Sequence, residues 1–338
     1  MKDLYELEQI MTKPSTTLIE DIKKLEGDIL ILGIGGKMGP TLAKMAKRAI
    51  DEAGISKRVI GVSRFSSGSL QQELEDFGIE TIAADLLNEA QLQALPEVKN
   101  VIFMAGNKFG TTGNEHFTWA MNTYLPGRIA EKYKNSRIVV FSSGNIYPFS
   151  DVTKGNCSED VVPSPIGEYA QSCLGRERIF TNFSIRNHTP IVLFRLNYAI
   201  DMRYGVLLEV ARAVFEERPI NLTMGSVNVI WQGDANEYAL RSLLHCSAPP
   251  QILNVTGPET ISVRWLAKEF GYRFNKSPIF DQEEQHTALL NTASKAHQLF
   301  GYPKTTLLEM IDMTANWLVN DGETYDKPTH FQEREGAF

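Results

Sequence analysis

The chain has 338 residues, of which 43% are hydrophobic and 22% are charged, and its formal net charge is −7. This composition is typical of a globular protein with one large or two smaller domains. The negative charge disfavours nucleic-acid binding, and no apolar run reaches the roughly 18 residues of a membrane span. The charged N-terminus excludes a secretory signal, and three cysteines without paired spacing predict a cytoplasmic protein with no metal site.

The first 27 residues precede the first predicted strand. Pro14 and the Ser-Thr-Thr that follows it predict the start of a short helix that runs through Lys24, and Gly27 is the residue that stops it. We interpret residues 1–27 as a helical extension that packs on the rest of the protein.

A glycine-rich turn follows the first apolar run, at residues 28–32. The turn is Gly-Ile-Gly-Gly-Lys-Met-Gly (33–39), and a helical pattern follows at 41–52. A strand, a glycine turn and a helix in this order predict that backbone N–H groups at the helix start bind a dinucleotide diphosphate. A purely structural turn is the alternative. The spacing fits G-x-x-G-x-x-G, and the predicted cofactor-binding residues of the turn are Gly33, Gly36, Lys37, Met38 and Gly39.

Apolar runs alternate with helical segments as far as residue 196. Continuous apolar runs are expected of strands buried on both faces, so the pattern predicts an α/β fold with a doubly wound parallel sheet. Residues 28–202 form the predicted dinucleotide-binding (Rossmann) domain. Residues 203–338 are predicted to form mainly a smaller substrate-side lobe, with segments near 227–245 and 252–256 returning to the sheet. The predicted strands after the first are at 58–63, 80–83, 100–105, 137–142 and 190–196. In the lobe, the predicted helices are near 204–217, 234–245, 262–270 and 305–320, and strand candidates lie at 227–231 and 252–256.

The end of the second strand bears on the choice of cofactor. NAD-binding sites of this kind place an acidic residue here, whereas this chain has Ser63 and Arg64. An arginine pairs with a 2′-phosphate, so we expect NADP in preference to NAD, although a solvated loop charge is the alternative. Asp85 and Leu86 follow the third strand and are predicted to bind the cofactor. At this position the Asp85 carboxylate is expected to accept a hydrogen bond from the adenine amino group, and the alternative is that Asp85 is only a turn residue.

Several segments in sequence order resemble the extended short-chain dehydrogenase/reductases, the NAD-dependent epimerase/dehydratase family. They include GIGGKMG (33–39), AADL (83–86), VIFMAG (101–106), VVFSSGNIYP (139–148) and EYAQSCLGRE (168–177). The resemblance spans residues 28 to 320. It implies Ala105 and Gly106 as cofactor-binding residues, Ser143 as the hydroxyl that orients the substrate oxygen and Tyr169 as the catalytic acid/base. It also implies a homodimer through helices near 114–134 and 166–186.

The chain departs from that pattern at position 173. The family has a lysine four residues after its tyrosine, which lowers the tyrosine pKa and holds the nicotinamide ribose, and here the residue is Cys173. A thiol carries no positive charge, and the loss of a nearby cation raises a phenol pKa. Three groups are candidates to supply the missing positive charge: the oxidised nicotinamide, Lys108 and Arg176. Arg176 lies two helical turns from Tyr169, so we do not expect it to reach the phenol. A nucleophilic role for Cys173 is a further alternative.

Other departures bear on the reaction and substrate. Gly144 and Asn145 follow Ser143 where the dehydratase branch has an acid, so a sugar dehydratase is disfavoured. Val227 stands where nucleotide-sugar enzymes of the family often have an arginine, and the segment 197–201 lacks the usual glycine-proline. Both changes weaken the case for a nucleotide-sugar substrate. By position, the pocket candidates are Tyr198, Trp231, His116 and Lys108.

The sequence therefore predicts an NAD(P)-dependent oxidoreductase or epimerase that acts on a small carbonyl or hydroxyl compound, with sugars among the candidates. A catalytically inactive NADP(H)-binding regulator or scaffold is the main alternative, and Cys173 is the residue that favours it. A binder of sugar nucleotides without redox activity is a third.

Overall fold

The computed structural model describes residues 3–66, 68–108, 110 and 112–336. Its helices are α1 (Leu4–Met11), α2 (Thr16–Lys24), α3 (Gly39–Glu52), α4 (Leu70–Asp76), α5 (Glu89–Ala94), α6 (Glu115–Trp119), α7 (Leu125–Lys132), α8 (Gly167–Asn187), α9 (Val206–Phe215), α10 (Gln232–Ser242), α11 (Val263–Phe274), α12 (Ser294–Phe300) and α13 (Leu307–Val319). A π-helical turn (Ala120–Tyr124) joins α6 to α7.

The strands are β1 (Ile29–Leu32), β2 (Val59–Ser63), β3 (Glu80–Ala83), β4 (Asn100–Phe103), β5 (Arg137–Ser143), β6 (Ser150–Asp151), β7 (Ile191–Leu196), β8 (Ala199–Ile200), β9 (Pro219–Asn221), β10 (Ser226–Val227), β11 (Ile230–Trp231), β12 (Gln251–Val255), β13 (Ile261–Ser262), β14 (Ile279–Asp281) and β15 (Thr287–Ala288). The strand expected at 227–231 is divided into β10 and β11, and α1 was not predicted.

The central sheet confirms the predicted doubly wound parallel architecture. Its strand order is β12-β7-β5-β4-β1-β2-β3, and every neighbouring pair is parallel. The chain builds outward from β1 to β3 and then returns to β4 on the other side of β1. In open sheets of this type, the crevice at such a reversal is where ligands bind.

Helices cover both faces of the sheet because the strands are apolar on both sides. All four residues of β1 are buried. On one face, Ile22, Leu42 and Leu240 belong to a core shared by α2, α3 and α10. On the other face, Leu92, Ile129 and Phe180 pack from α5, α7 and α8. This two-sided burial is the physical reason for the continuous apolar runs.

The C-terminal part builds a second core beside the sheet. Helices α9, α11 and α13 pack together, and Trp231, a candidate pocket residue by sequence, is buried in this core. Within the same part of the chain, β12 pairs with β7 at the sheet edge, and α10 packs against α2 and α3.

Among the residues described, no helix combines the length and hydrophobicity needed to span a membrane. Across the same residues, no group of three or more His, Cys, Asp or Glu side chains is arranged to hold a metal ion.

Candidate functional site

Three of the four glycines of the turn, Gly33, Gly36 and Gly39, have different structural roles. Gly33 has a φ of +92°, and a Cβ there would lie 2.6 Å from the Ala105 backbone nitrogen. A Cβ at Gly39 would collide with the Ile34 carbonyl group. The outer two glycines therefore allow β1, β4 and α3 to approach closely. A Cβ at Gly36 would meet only the Gly33 oxygen, at an ordinary 3.5 Å, and Gly36 lines the crevice.

Helix α3 begins directly after this turn without a side-chain cap. Met38 is its N-cap residue and makes no capping hydrogen bond, and a proline occupies the first turn. The first N–H groups of a helix lack intrahelical partners and carry the positive end of the helix dipole. The turn and the helix start together suit an anion such as a diphosphate.

Two cavities meet at the glycine turn. The inner cavity, of about 310 Å³, extends from the turn to Ser143 and Tyr169. The outer cavity, of about 330 Å³, extends from the same turn to Ser63 and Asp85. Both are lined by Gly33, Gly36, Met104 and Gly106. The crevice therefore has two compartments, one on each side of the turn.

The outer cavity brings together several of the residues predicted to bind the cofactor. Ser63, Arg64, Leu86, Ala105 and Gly106 all line it. Arg64 is exposed at the end of β2, and no carboxylate stands in β2 itself.

Asp85 also lines the outer cavity, but its carboxylate has a local partner. Its Oδ1 accepts a hydrogen bond from the Leu87 backbone N–H at 2.9 Å. The turn interpretation of Asp85 is therefore present in the structure, and the residue also lines the outer cavity.

Ser143 and Tyr169 meet in the inner cavity. Ser143 is the last residue of β5, and Tyr169 lies in the first turn of α8. Their side chains share a hydrogen bond, which lowers the pKa of Tyr169, but burial has the larger effect and raises that pKa above its usual value near 10. At neutral pH the phenol therefore holds its proton and is a donor.

Cys173 lies below the cavity rather than in its wall. Its side chain is completely buried and hydrogen-bonds the Tyr169 hydroxyl. Burial raises the pKa of the thiol, with Arg176 opposing this shift. A buried, protonated thiol is a poor nucleophile, so the structure gives no support to the nucleophilic alternative.

Three cationic residues line the inner cavity: Lys37, Lys108 and Arg176. No aspartate or glutamate is among its described lining residues. Burial lowers the pKa of both lysines to about 8. The Lys37 ammonium donates to the Ala199 carbonyl at 2.8 Å and lies 4.6 Å from the centre of the Tyr204 ring. In a chain of net charge −7, this concentration of positive charge favours an anionic ligand.

Arg176 reaches the site, contrary to the expectation drawn from its helical spacing. Its guanidinium donates to the Phe141 carbonyl at 2.7 Å and to the Asn122 side chain at 2.8 Å. A Cβ at position 106 would lie 2.5 Å from the guanidinium, so Gly106 leaves the space that it occupies. Its positive charge lowers the pKa of both Tyr169 and Cys173.

Four residues singled out as pocket candidates are separated by the fold. Tyr198 and Lys108 line the inner cavity. Trp231 is in the core, and His116 lies on an outer helix face with Trp119 and Tyr124. Thr329, which sequence reasoning missed, reaches the cavity from the C-terminal segment because it is fixed to Glu209 on α9.

The comparisons with known proteins agree with this architecture. No protein-family model matches the sequence, and no curated protein does. Among solved structures, a UDP-glucuronic acid 4-epimerase mutant from Bacillus cereus, in complex with a fluorinated substrate analogue and NAD, is 19% identical with a TM-score of 0.71 and covers 86% of this chain and 99% of its own. The UDP-glucose 4-epimerase of Thermus thermophilus, in complex with NAD, is 16% identical with a TM-score of 0.68 and covers 86% of this chain and 98% of its own.

An epimerase from Methanothermobacter thermautotrophicus is 16% identical, with a TM-score of 0.70, and covers 90% of this chain and 96% of its own. At these identities the likeness shows a shared fold.

Proposed function

We propose that the crevice binds a nicotinamide dinucleotide and that the chain transfers a hydride between this cofactor and a carbonyl or hydroxyl compound, as an oxidoreductase or an epimerase. One observation carries the proposal: two cavities meet over an uncapped helix start, and one of them ends at the hydrogen-bonded pair Ser143 and Tyr169. A dinucleotide has the matching form, with two nucleosides on either side of a diphosphate.

The residues present fit such a cofactor. The turn at Gly33–Gly39 and the start of α3 would hold the diphosphate, Ser63, Arg64 and Asp85 would surround the adenosine, and Lys108 and Gly106 would flank the nicotinamide end. When bound, a nicotinamide ring supplies the hydride or accepts it.

Within this arrangement, the two hydroxyl side chains handle the substrate oxygen. Ser143 orients that oxygen, and Tyr169 gives a proton to it or takes one from it. Because burial raises the pKa of Tyr169, the free protein holds this phenol ready to donate. Carbonyl reduction is therefore the direction that the unliganded site favours.

Similar folds with known ligands support a sugar-like substrate. The Bacillus cereus and Thermus thermophilus structures are of UDP-sugar 4-epimerases that contain NAD. The NAD in these neighbours gives no support to the expected preference for NADP. Our basis for proposing NADP is Arg64 at the outer cavity together with the absence of a carboxylate in β2.

A second candidate function, a cofactor-binding regulator without turnover, is favoured by Cys173 alone. A neutral, buried thiol stands where the family resemblance implies a lysine. An assay of hydride transfer separates the two functions, because only the enzyme transfers hydride.

The test is transfer of deuterium from 4-deuterated NADH and NADPH to a panel of carbonyl compounds, with and without a UDP group, followed by mass spectrometry. We expect labelled product, and Tyr169→Phe should reduce its formation by about 10²–10⁴-fold. Tyr272→Phe is the matched control, because Tyr272 is 87% exposed on α11. Dinucleotide binding without labelling of any compound would instead support the regulator.

We also propose that two copies associate through the face formed by α6, α7 and α8. Trp119, Tyr124 and Ile185 are exposed there, and Phe183 contributes to the same shallow depression. Exposed aromatic residues of this kind are enriched at protein interfaces. Light scattering should give a dimer mass for the wild-type protein and a monomer mass for Tyr124→Glu, and a wild-type monomer would contradict the proposal.

A further inference from the structure

The loop after β4 brings a positive charge close to the ring of Tyr169. The Lys108 ammonium lies 5.9 Å from the centre of the Tyr169 ring, a distance at which a cation is attracted to an aromatic face. It also interacts electrostatically with Cys173, one turn along α8 from Tyr169. Position 173 on α8, which has no lysine in this chain, is therefore next to Lys108 from the loop after β4.

Hydrogen bonds fix this loop to the neighbouring helices. The Asn107 backbone N–H donates to the Asn122 side chain at 2.8 Å, and the Asn122 amide donates back to the Asn107 carbonyl at 2.8 Å. Asn122 also donates to the Ser172 hydroxyl at 3.0 Å, on the helix that carries Tyr169. Asn122 lies in the π-helical turn, a feature that often occurs at functional sites. Lys108 thus follows a residue whose position is set relative to α8.

Arg176 also lowers the pKa of Tyr169, but from a position that its hydrogen bonds fix. It is 6% exposed, and it donates to the Phe141 carbonyl and to both oxygens of Asn122. These bonds hold the guanidinium in one place, so its charge contributes a fixed field. Lys108 instead comes from a separate element, the loop after β4, and its ammonium lies over the face of the Tyr169 ring.

We propose that Lys108 supplies, from the loop after β4, the positive charge that stabilises the Tyr169 oxyanion, and that it does so in place of a lysine at position 173. It is a positioning residue, since it acts through Tyr169, and its role rests on the proposed function. A lysine added at position 173 would place a second ammonium beside the first, and like charges at this distance repel. A small neutral residue at position 173 is therefore compatible with Lys108.

This arrangement predicts an unusual pattern among variants. Lys108→Met should lower the hydride-transfer rate at pH 7 by about 10–100-fold, and Lys108→Arg should retain most of it, because a cation near a phenol shifts its pKa by about one to two units. Cys173→Lys alone should not increase the rate. The double variant Lys108→Met/Cys173→Lys should recover to within about threefold of the wild type, because one cation again lies beside Tyr169.

The pH profile distinguishes this role from a structural one. In the oxidation direction, where Tyr169 accepts a proton, the rising limb should move to higher pH in Lys108→Met and return in the double variant. The titratable groups that face Lys108 are Tyr169 and Cys173 from α8 and Lys37 from the glycine turn. Lys99→Met is the control for loss of one positive charge, since Lys99 is exposed and pairs with Glu26.

A second measurement does not depend on turnover. In NMR titrations of protein with labelled lysine, the signal that disappears in Lys108→Met should titrate well below the surface lysines and should move when Tyr169 is changed to Phe. The proposal is wrong if that signal does not move when Tyr169 is changed to Phe. It is also wrong if Lys108→Met leaves both the rate and the pH limb unchanged, or if the folded double variant does not recover. If the NMR titrations give the expected result but no hydride transfer is detected, the proposed function is wrong, and the contact between Lys108 and Tyr169 is not.

Discussion

Glu177→Gln removes one charge of a buried ion pair, and we expect it to lower the stability of the protein substantially. Glu177 and Arg195 form an ion pair beneath the inner cavity, and their side chains are 3% and 4% exposed. Arg195 donates to both carboxylate oxygens, at 2.9 and 2.7 Å, and Ser142 donates to one of them at 2.6 Å. Burial lowers the pKa of Arg195, but the hydrogen bonds to Glu177 hold it above its ordinary value.

The substitution keeps the shape of residue 177 and removes its charge. Arg195 then remains buried without a compensating carboxylate, and one of its N–H groups faces an amide that is itself a donor. Breaking a buried pair in this way typically costs about 3–5 kcal/mol of unfolding free energy. Because domains are stable by about 5–15 kcal/mol, the loss is a large part of the total.

The Glu177 carboxylate also connects the two elements that carry the catalytic candidates, because Glu177 lies on α8 and Ser142 donates to it from β5. Ser142 precedes Ser143 on β5, and Glu177 follows Cys173 by one turn on α8. Arg195 donates further to the Tyr147 hydroxyl at 2.5 Å, and Tyr147 donates to Asn254 at 2.9 Å. Loss of the pair should therefore weaken dinucleotide binding together with stability.

The assay is urea unfolding followed by circular dichroism. Glu26→Gln is the matched control: its carboxylate pairs with Lys99 at 2.6 Å, but both side chains are exposed, so we expect little change. The double variant Glu177→Leu/Arg195→Met, which replaces both charges with apolar groups, should be more stable than Glu177→Gln. If Glu177→Gln unfolds at the same urea concentration as Glu26→Gln, the buried pair does not have the role described here.

Three further predictions concern the crevice. Gly33→Ala should abolish dinucleotide binding in a folded protein, because its Cβ would lie 2.6 Å from the Ala105 nitrogen; Gly54→Ala, at a φ of +64° with open space, should bind normally in the same calorimetric titration. Dinucleotide affinity should fall as pH rises above 8, because the buried Lys37 has a pKa lowered to about 8 and attracts a diphosphate only while protonated; Lys37→Met should bind more weakly and without this pH dependence. Arg64→Ala should weaken NADPH binding by about tenfold and leave NADH binding unchanged, as expected for one exposed charge-assisted contact; equal effects on both would contradict a 2′-phosphate role.

The sequence predicted the central sheet and the glycine turn because both depend on local patterns. Continuous apolar runs indicate strands with two buried faces, and glycine spacing indicates where a strand can turn sharply into a helix. Ser143 and Tyr169 were brought together by family resemblance, since the 25 residues between them contain no local signal of their contact.

The features that sequence reasoning missed depend on distant contacts. Arg176 reaches the site only because Gly106, from another strand end, leaves room for its guanidinium. Thr329 lines the cavity only because an irregular segment packs back on α9. Helix α1 did have a local signal, since Asp3 caps its first turn by accepting from the Glu6 N–H, but the helix predicted within residues 1–27 began only after Pro14.

The binding of a dinucleotide across the glycine turn is the claim on which the proposed enzyme depends. Isothermal titration of the purified chain with NADH and with NADPH measures it directly, without knowledge of the substrate. We predict saturable one-to-one binding of at least one of them, lost in Gly33→Ala. Heat changes that show no binding of either coenzyme by the folded wild-type protein would contradict it.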